Sequence, residues 1–275
     1  MTIKLLALDL DGTIFGDDLL IAPRTRRAIA DAQAAGVVVT IATGRMFRAA
    51  RYIAAELNIQ GPLICYQGAM VRDARTDETL LHKTVPHHLA EEVIMLTSGQ
   101  GLHLNVYLND SLYVEKVTPE ARFYAQINMD MPLNAVGDLR NWLNLQHFNE
   151  ATKLVIVTDS EQTDAVLAAY TEMFGDRLQV TKSHPRFTEF TNCECSKGRS
   201  LAQLAAHYGF AREEVMAIGD GHNDTDMIAW AGWGVAMETA PQAVRDVARI
   251  ICPPLTQDGA ADAIERYILA GAPGQ

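Results

Sequence analysis

Asp9-Leu10-Asp11-Gly12-Thr13, directly behind the apolar run Ile3-Lys4-Leu5-Leu6-Ala7-Leu8, is the stretch whose reading decides the fold. A short run of Leu and Ile reads as a strand buried on both faces, as in a parallel sheet covered by helices. Two carboxylates two positions apart at its end are expected to point the same way, because side chains alternate along an extended chain. Gly12 then lets the chain turn sharply. Like charges so placed repel by roughly 4 kcal/mol at ~4 Å in an effective dielectric of ~20, so a cation or a protonated partner has to relieve them. The strand end therefore reads as a metal-assisted carboxylate site.

Three further segments carry chemistry in a matching position. Ala42-Thr43-Gly44-Arg45 follows the apolar run Val37 to Ile41 and precedes a helix-like segment from Met46 to Leu57. Ser196-Lys197-Gly198 opens another helix through Leu201, Leu204 and Ala205. Gly219-Asp220-Gly221-His222-Asn223-Asp224 follows the strand-like Val215 to Ile218 and precedes Met227-Ile228-Ala229-Trp230. Each lies at the carboxyl end of a strand or the start of a helix.

These Asp, Thr, Lys and Asp elements, in that order from Asp9 to Asp224, resemble the four motifs of the haloacid dehalogenase (HAD) superfamily, and in particular its Cof-type, sugar-phosphatase-like branch. The resemblance implies an α/β fold, a Rossmann-like parallel-sheet core with an inserted α+β cap domain. The chain's texture agrees. Strand and helix alternate over the opening third, with Pro23 starting a helix, Gly36 ending it and Leu63-Ile64-Cys65-Tyr66 forming a third buried run. From about residue 84 to 184 the pattern changes. Leu102 to Val114 reads as two strands around Asn109-Asp110-Ser111, Thr118-Pro119-Glu120 starts a helix, and strands at Lys153 to Thr158 and Leu178 to Ser183 flank a helix from Glu161 to Phe174. The expected division is a catalytic core of 1–83 and 185–275 around a cap of 84–184, the core grammar returning from about Thr188.

Asp9 is the candidate nucleophile: a carboxylate attacking a phosphoryl group divides one hard hydrolysis into formation and breakdown of an aspartyl-phosphate. Asp11 is the candidate general acid, protonating the leaving oxygen and later activating water. Asp9, Asp11 and Asp220 offer hard oxygen ligands that suit Mg²⁺ better than Zn²⁺; the resemblance implies that Asp11 does so through its backbone carbonyl. It also implies that Asp224 orients Lys197 or a metal-bound water, and that Leu10 meets phosphate through its backbone N–H. Thr43 and Gly44, read as a helix N-terminus, form a phosphate seat. Lys197 supplies a compact cation, at a helix start that is unfavourable for a lysine unless it is needed there. Asn223 is expected to donate an amide hydrogen bond to phosphate. Arg45 either pairs with acids or faces solvent, His222 reads as loop surface, and Trp230 and Trp233 read as core. In two places the chain departs from the family: Tyr66-Gln67-Gly68 stands where Asn-Gly is common after the third strand, and Glu238-Thr239 where Gly-Asn is usual. Both bear on substrate identity, for which His103, Tyr107, Tyr113 and Glu189 of the cap are further candidates.

Composition narrows the partners. At 275 residues, 48% hydrophobic and 21% charged, the chain has the make-up of a soluble globular protein. A net charge of −11 argues against wrapping a nucleic-acid backbone. No apolar run approaches the ~20 residues of a membrane span. Met1 leads directly into the first strand, leaving no room for a signal peptide, and the four cysteines are scattered without a C-x-x-C pair, so a cytoplasmic protein with reduced thiols is expected. The expectation is a Mg²⁺-dependent phosphatase acting on a small phosphorylated metabolite, as a monomer or weak homodimer without nucleic-acid or membrane partners. A phosphomutase would share the nucleophile. A phospho-acceptor signalling module would share Asp, Thr, Lys and Mg²⁺, but Asp11 speaks against it, since a second acid speeds loss of the phosphate. A silent binding protein is disfavoured because no motif residue is missing.

Overall fold

The computed structural model describes residues 2–16, 18–129, 131–146 and 150–270. It divides into two compact units, 2–81 with 196–270 and 82–195, the second inserted into the first. In the first unit, β1 (Leu5–Leu8) buries all four of its side chains, as a strand between helical layers must. α1 (Pro23–Ala34) begins on a proline, whose fixed φ and missing N–H suit the first helical position. Gly36, at φ +86°, turns the chain back into β2 (Val38–Ile41). After α2 (Phe47–Glu56) come β3 (Pro62–Cys65), β4 (Met70–Asp73) and β5 (Thr79–His82), a small side sheet in which β3 and β4 are antiparallel.

The inserted unit contains α3 (His87–Gly99), β6 (His103–Leu108), β7 (Ser111–Val114), α4 (Pro119–Ile127), β8 (Leu133–Ala135), α5 (Leu139–Asn144), β9 (Lys153–Val157), α6 (Ser160–Phe174), β10 (Leu178–His184) and β11 (Phe187–Asn192). The turn between β6 and β7 has Asn109 at φ +51° and Asp110 at φ +54°. Both positive angles are those of the primed turn that matches the twist of a hairpin, and Asn and Asp tolerate them best after Gly. Thr118 caps α4 by accepting the Ala121 N–H at 3.2 Å. The six strands lie in the order β10-β11-β9-β6-β7-β8 over a core of Val93, Leu104, Val106, Leu154, Ile156, Tyr170 and Phe190. β11 pairs antiparallel with both β9 and β10. This unit therefore spans 82–195, beyond the expected 84–184, and the strand at 188–192, expected in the core, belongs to it. The cause is a pairing preference: Phe187-Thr188-Glu189-Phe190 carries a strand's alternation but no mark of which sheet takes it.

The chain then re-enters the first unit as α7 (Lys197–His207), β12 (Val215–Gly219), α8 (Thr225–Trp230), β13 (Trp233–Met237), α9 (Gln242–Val247), β14 (Ile250–Cys252) and α10 (Gly259–Ile264). The central sheet is parallel throughout in the order β14-β13-β12-β1-β2. Leu5 and Ala7 pack with Leu201, Leu204, Met227, Ile228 and Val244, while α1 packs against α10 and β2. This is the expected α/β core with an inserted α+β cap. Trp233 is buried with its Nε1–H on the Glu213 carbonyl at 3.1 Å, and Trp230 packs partly buried on the core. Among the described residues no helix is long and apolar enough to cross a membrane. The registers Leu8 to Ile218 and Leu8 to Ile41 bring the carboxyl ends of β12, β1 and β2 side by side. Open α/β sheets bind ligands at that edge, and Asp9, Thr43 and Asp220 follow immediately.

Candidate active site

Lys197 is the centre of the site. Ser196 caps α7 by accepting the Arg199 N–H at 3.2 Å, which makes Lys197 the first helical residue. Its Nζ lies 2.6 Å from Asp9 Oδ1 and 2.6 Å from Asp224 Oδ1, and the side chain is fully buried. Burial works against the ammonium, but Asp224 and Asp9 outweigh it and hold its pKa above the ordinary lysine value. Asp224 is itself fixed: its other oxygen accepts the N–H of Asp220 at 3.0 Å and of Gly221 at 2.9 Å. Both of its oxygens are thus committed. Asp9 has its pKa pushed well up by burial and then by Asp224, with Lys197 pulling the other way. Burial and Asp224 likewise push Asp220 up to about 6, although the Thr13 hydroxyl donates to its Oδ1 at 3.0 Å. Gly12, at φ +84°, leaves room for that carboxylate, since a Cβ there would meet Asp220 Oδ2 at 2.3 Å.

A pH dependence of stability follows for the metal-free protein. An acid whose folded pKa is raised binds its proton more tightly folded than unfolded, so the folded state is favoured at low pH and loses that advantage as pH rises through the folded value. For Asp220 the window runs from the ordinary aspartate value of 3.8 to about 6. At ~1.4 kcal/mol per pH unit across that window, the expected loss is about 3 kcal/mol. Urea unfolding in chelator at pH 4, 5, 6 and 7 measures it, and a divalent cation should restore the loss above pH 6. Asp220→Asn removes this contribution, so the difference between wild type and variant isolates it from the acids whose pKa values are lowered, and a difference that does not change across that window would contradict the clustering of these acids.

Asp11 is placed differently from Asp9. β1 stops at Leu8, the chain turns at Leu10, and the Asp11 carboxylate leaves the acid cluster, with its side chain 53% exposed. It is held by Arg45 in a two-pronged salt bridge, Nε to Oδ2 at 2.9 Å and the outer nitrogen to Oδ1 at 2.6 Å. The guanidinium lies over the Phe15 ring, 5.4 Å from its centre. Of the two readings of Arg45, pairing with an acid is the one observed. The expectation that Asp9 and Asp11 point the same way fails because the strand ends before the alternation could continue.

Thr43 and Gly44 do not sit at a helix N-terminus. α2 begins at Phe47 behind Met46, and Thr43 instead donates its N–H to Ile64 O at 2.9 Å while its hydroxyl accepts the Arg45 N–H at 3.1 Å. The two residues lie instead in the loop between β2 and α2. The backbone N–H of Leu10 donates to no acceptor among the described residues. Asn223 Nδ2 donates to Gln67 Oε1 at 3.0 Å, and His222 is exposed. Glu238, also exposed, is tied to β14 through its N–H and Cys252 O at 2.9 Å. In the inserted unit Tyr107 and Glu189 are buried, Tyr107 donating to Tyr124 at 2.8 Å and Glu189 paired with Lys153 at 3.1 Å. Two contributors, Thr13 and Gln67, have no chemical role predicted from the sequence. Thr13 stands inside the opening motif, and Gln67 at the departure from the family pattern after β3.

Carboxylate oxygens of Asp9, Asp220 and Asp224 all lie within 4.8 Å of one another. Three carboxylates against one ammonium leave a negative excess, and the oxygens of Asp9 and Asp220 outside the Lys197 and Thr13 bonds accept no hydrogen bond among the described residues. A hard divalent cation fits this donor set. The third carboxylate of this cluster is Asp224, whose oxygens are already committed, while the expected contribution of Asp11 is a backbone carbonyl and not a carboxylate.

A family model, haloacid dehalogenase-like hydrolase, matches residues 6–264. The chain belongs to that family, and it is a phosphatase. It is 30% identical over 268 residues to the 5-amino-6-(5-phospho-D-ribitylamino)uracil phosphatase YcsE of Bacillus subtilis, covering 97% of this chain and 96% of the relative. With the HMP-PP phosphatase of Serratia proteamaculans it shares 29% identity over 245 residues, 86% of this chain and 84% of that one. Among solved structures, a haloacid dehalogenase-like hydrolase from Bacteroides thetaiotaomicron superposes with a TM-score of 0.85 at 29% identity, over 96% of this chain and 99% of the other.

Proposed function

We propose that the chain is a Mg²⁺-dependent phosphatase that hydrolyses small phosphorylated metabolites, sugar phosphates above all, through an aspartyl-phosphate on Asp9. The observation that carries this reading is the buried Lys197 ammonium, 2.6 Å from Asp9 and 2.6 Å from Asp224, beside the Asp220 carboxylate. Asp9 forms the new bond to phosphorus as the ester oxygen leaves, and Asp11 gives that oxygen its proton. Asp11 then takes a proton from water, which attacks phosphorus and releases Asp9 as a carboxylate. The exposure of Asp11 supports this shuttling role; both of its oxygens accept from Arg45, so one of them leaves the guanidinium to carry the proton. Lys197, Thr43, Gly44, Asn223 and the Leu10 N–H cradle the phosphate, while Asp224 positions Lys197. Asp9 and Asp220, with the Asp11 backbone carbonyl, would hold Mg²⁺. That ion would neutralise charge on the phosphate and the acids as the bond is transferred. The named substrate of the Bacillus subtilis relative carries a phosphorylated ribityl group, which supports a sugar or sugar-alcohol phosphate. The same reading places the protein in the cytoplasm, in keeping with its cysteine usage.

The test is a hydrolysis screen over phosphorylated metabolites with Mg²⁺ or with chelator. Turnover should need Mg²⁺, and Ca²⁺ should substitute poorly because its looser coordination disturbs in-line geometry. Asp220→Ala should raise the Mg²⁺ requirement by at least about tenfold. Asp11→Asn should still be phosphorylated by an activated ester but release phosphate slowly, so rapid quenching with labelled substrate should trap a hydroxylamine-sensitive label on the protein. Full activity in chelator, or an unchanged Mg²⁺ titration in Asp220→Ala, would dismiss this metal site.

A further inference from the structure

Gln67 sits in the turn Tyr66–Gly68, where three successive residues have left-handed backbone, Tyr66 at φ +53°, Gln67 at φ +59° and Gly68 at φ +92°. Tyr and Gln both carry a Cβ that disfavours this region. Such angles persist only where the surroundings over-determine them, and they cluster at functional positions. Here the surroundings are the loop after β2. Tyr66 donates its N–H to Arg45 O at 3.0 Å, and Gln67 donates its N–H to Thr43 O at 3.1 Å. The turn is thereby stitched to the Thr43-Gly44-Arg45 loop, backbone to backbone.

The Gln67 side chain, 3% exposed, then crosses over Gly44. A Cβ at position 44 would lie 2.3 Å from Gln67 Nε2, so the missing side chain there is what lets the amide pass. At its far end Oε1 accepts from Asn223 Nδ2 at 3.0 Å. On the opposite edge of the Asn223 amide, Oδ1 lies so close to Gly221 that a Cβ there would stand 2.4 Å away. A primary amide presents a donor edge and an acceptor edge, and an acceptor at Gln67 selects between them.

We propose that Gln67 is a positioning residue of the phosphate site: its amide oxygen fixes the Asn223 side chain with the nitrogen towards residue 67, keeping the second N–H of that nitrogen oriented for an anion. The inference rests on the phosphatase reading for the identity of the anion. Without Gln67 the Asn223 amide can turn over and present its oxygen, which repels phosphate. Asn at position 67, one methylene shorter, cannot span Gly44 to reach Asn223. The extra methylene of this chain's Tyr66-Gln67-Gly68 is therefore what couples the loop after β2 to the loop after β12.

The test uses the full chain with Mg²⁺, p-nitrophenyl phosphate as substrate and orthophosphate as competing ligand. In Gln67→Met, which keeps the length but removes the acceptor, KM and the orthophosphate inhibition constant should rise about tenfold while kcat changes by less than about threefold. Gln67→Asn should behave the same way, and it stands in should the methionine variant fail to fold. In an Asn223→Ala background the same substitution should alter KM by less than about twofold, because the partner through which Gln67 acts is already gone. An equal effect in both backgrounds, or no KM effect where Asn223 is present, overturns the proposal. Should the wild type hydrolyse no phosphate ester, the functional reading falls. Calorimetric titration of orthophosphate into the same variants then decides the role of Gln67 by itself, and a wild type that binds no orthophosphate ends both.

Discussion

Asp9→Asn is expected to lower ester hydrolysis by on the order of 10⁴-fold or more while the protein stays folded, because removal of the proposed nucleophile leaves only binding and charge stabilisation. The amide keeps the shape of the carboxylate but cannot form the acyl-phosphate bond. Stability should survive for a reason visible in the site. Burial and Asp224 already disfavour the ionised form of Asp9, and Asn removes that unfavourable charge. Lys197 retains its 2.6 Å contact with Asp224, so its ammonium is not stranded. Phosphate release from an aryl phosphate and a urea unfolding curve, measured on the same preparation, check both halves. Turnover near the wild-type rate would remove Asp9 from the nucleophile's role, and an unfolded variant would show that its charge is structural.

Lys197→Met carries the second large effect, on stability as well as on turnover. The ammonium is buried and is the cation that contacts both Asp9 and Asp224. Removing one partner of a buried ion pair leaves uncompensated charge and typically costs about 3–5 kcal/mol. The sign of its pH dependence follows from the acids that remain. Asp9 and Asp220 have raised pKa values with the lysine present, and without its positive charge they take up protons more readily still. Acidification therefore neutralises the cluster, and the stability gap between variant and wild type should be largest near pH 8 and shrink towards pH 5. Urea midpoints at the two pH values in chelator measure that gap. A gap independent of pH would mean that the loss comes from packing of the lysine stem rather than from charge.

Much of this protein is written locally in its sequence. The run Leu5 to Leu8 is apolar at every position because both faces of β1 are covered, and Gly36, Asn109 and Asp110 stand where the backbone takes positive φ. Pro23 and Thr118 mark helix starts through a missing donor and a spare acceptor respectively. These signals involve neighbours within a few residues, so periodicity and turn chemistry suffice to read them. The identities of the acids and of Lys197 are legible for the same reason, since each follows a strand or opens a helix.

Only the tertiary structure decided which of these groups meet. Lys197 reaches Asp9 across 188 positions of sequence, and Asp220 receives Thr13 across 207. β1 ends one residue before Asp9, which sends Asp9 inward to the lysine and Asp11 outward to Arg45. β11 joins the inserted sheet because β9 and β10 offer it edges, and its own alternation would have served either sheet. Gln67 touches Asn223 only because Gly44 leaves a gap between two loops that are distant in the chain. Local patterns report burial and backbone angle. The partner of a polar side chain is chosen by whichever distant groups the folded sheet brings within about 3 Å, and that selection has no local signature.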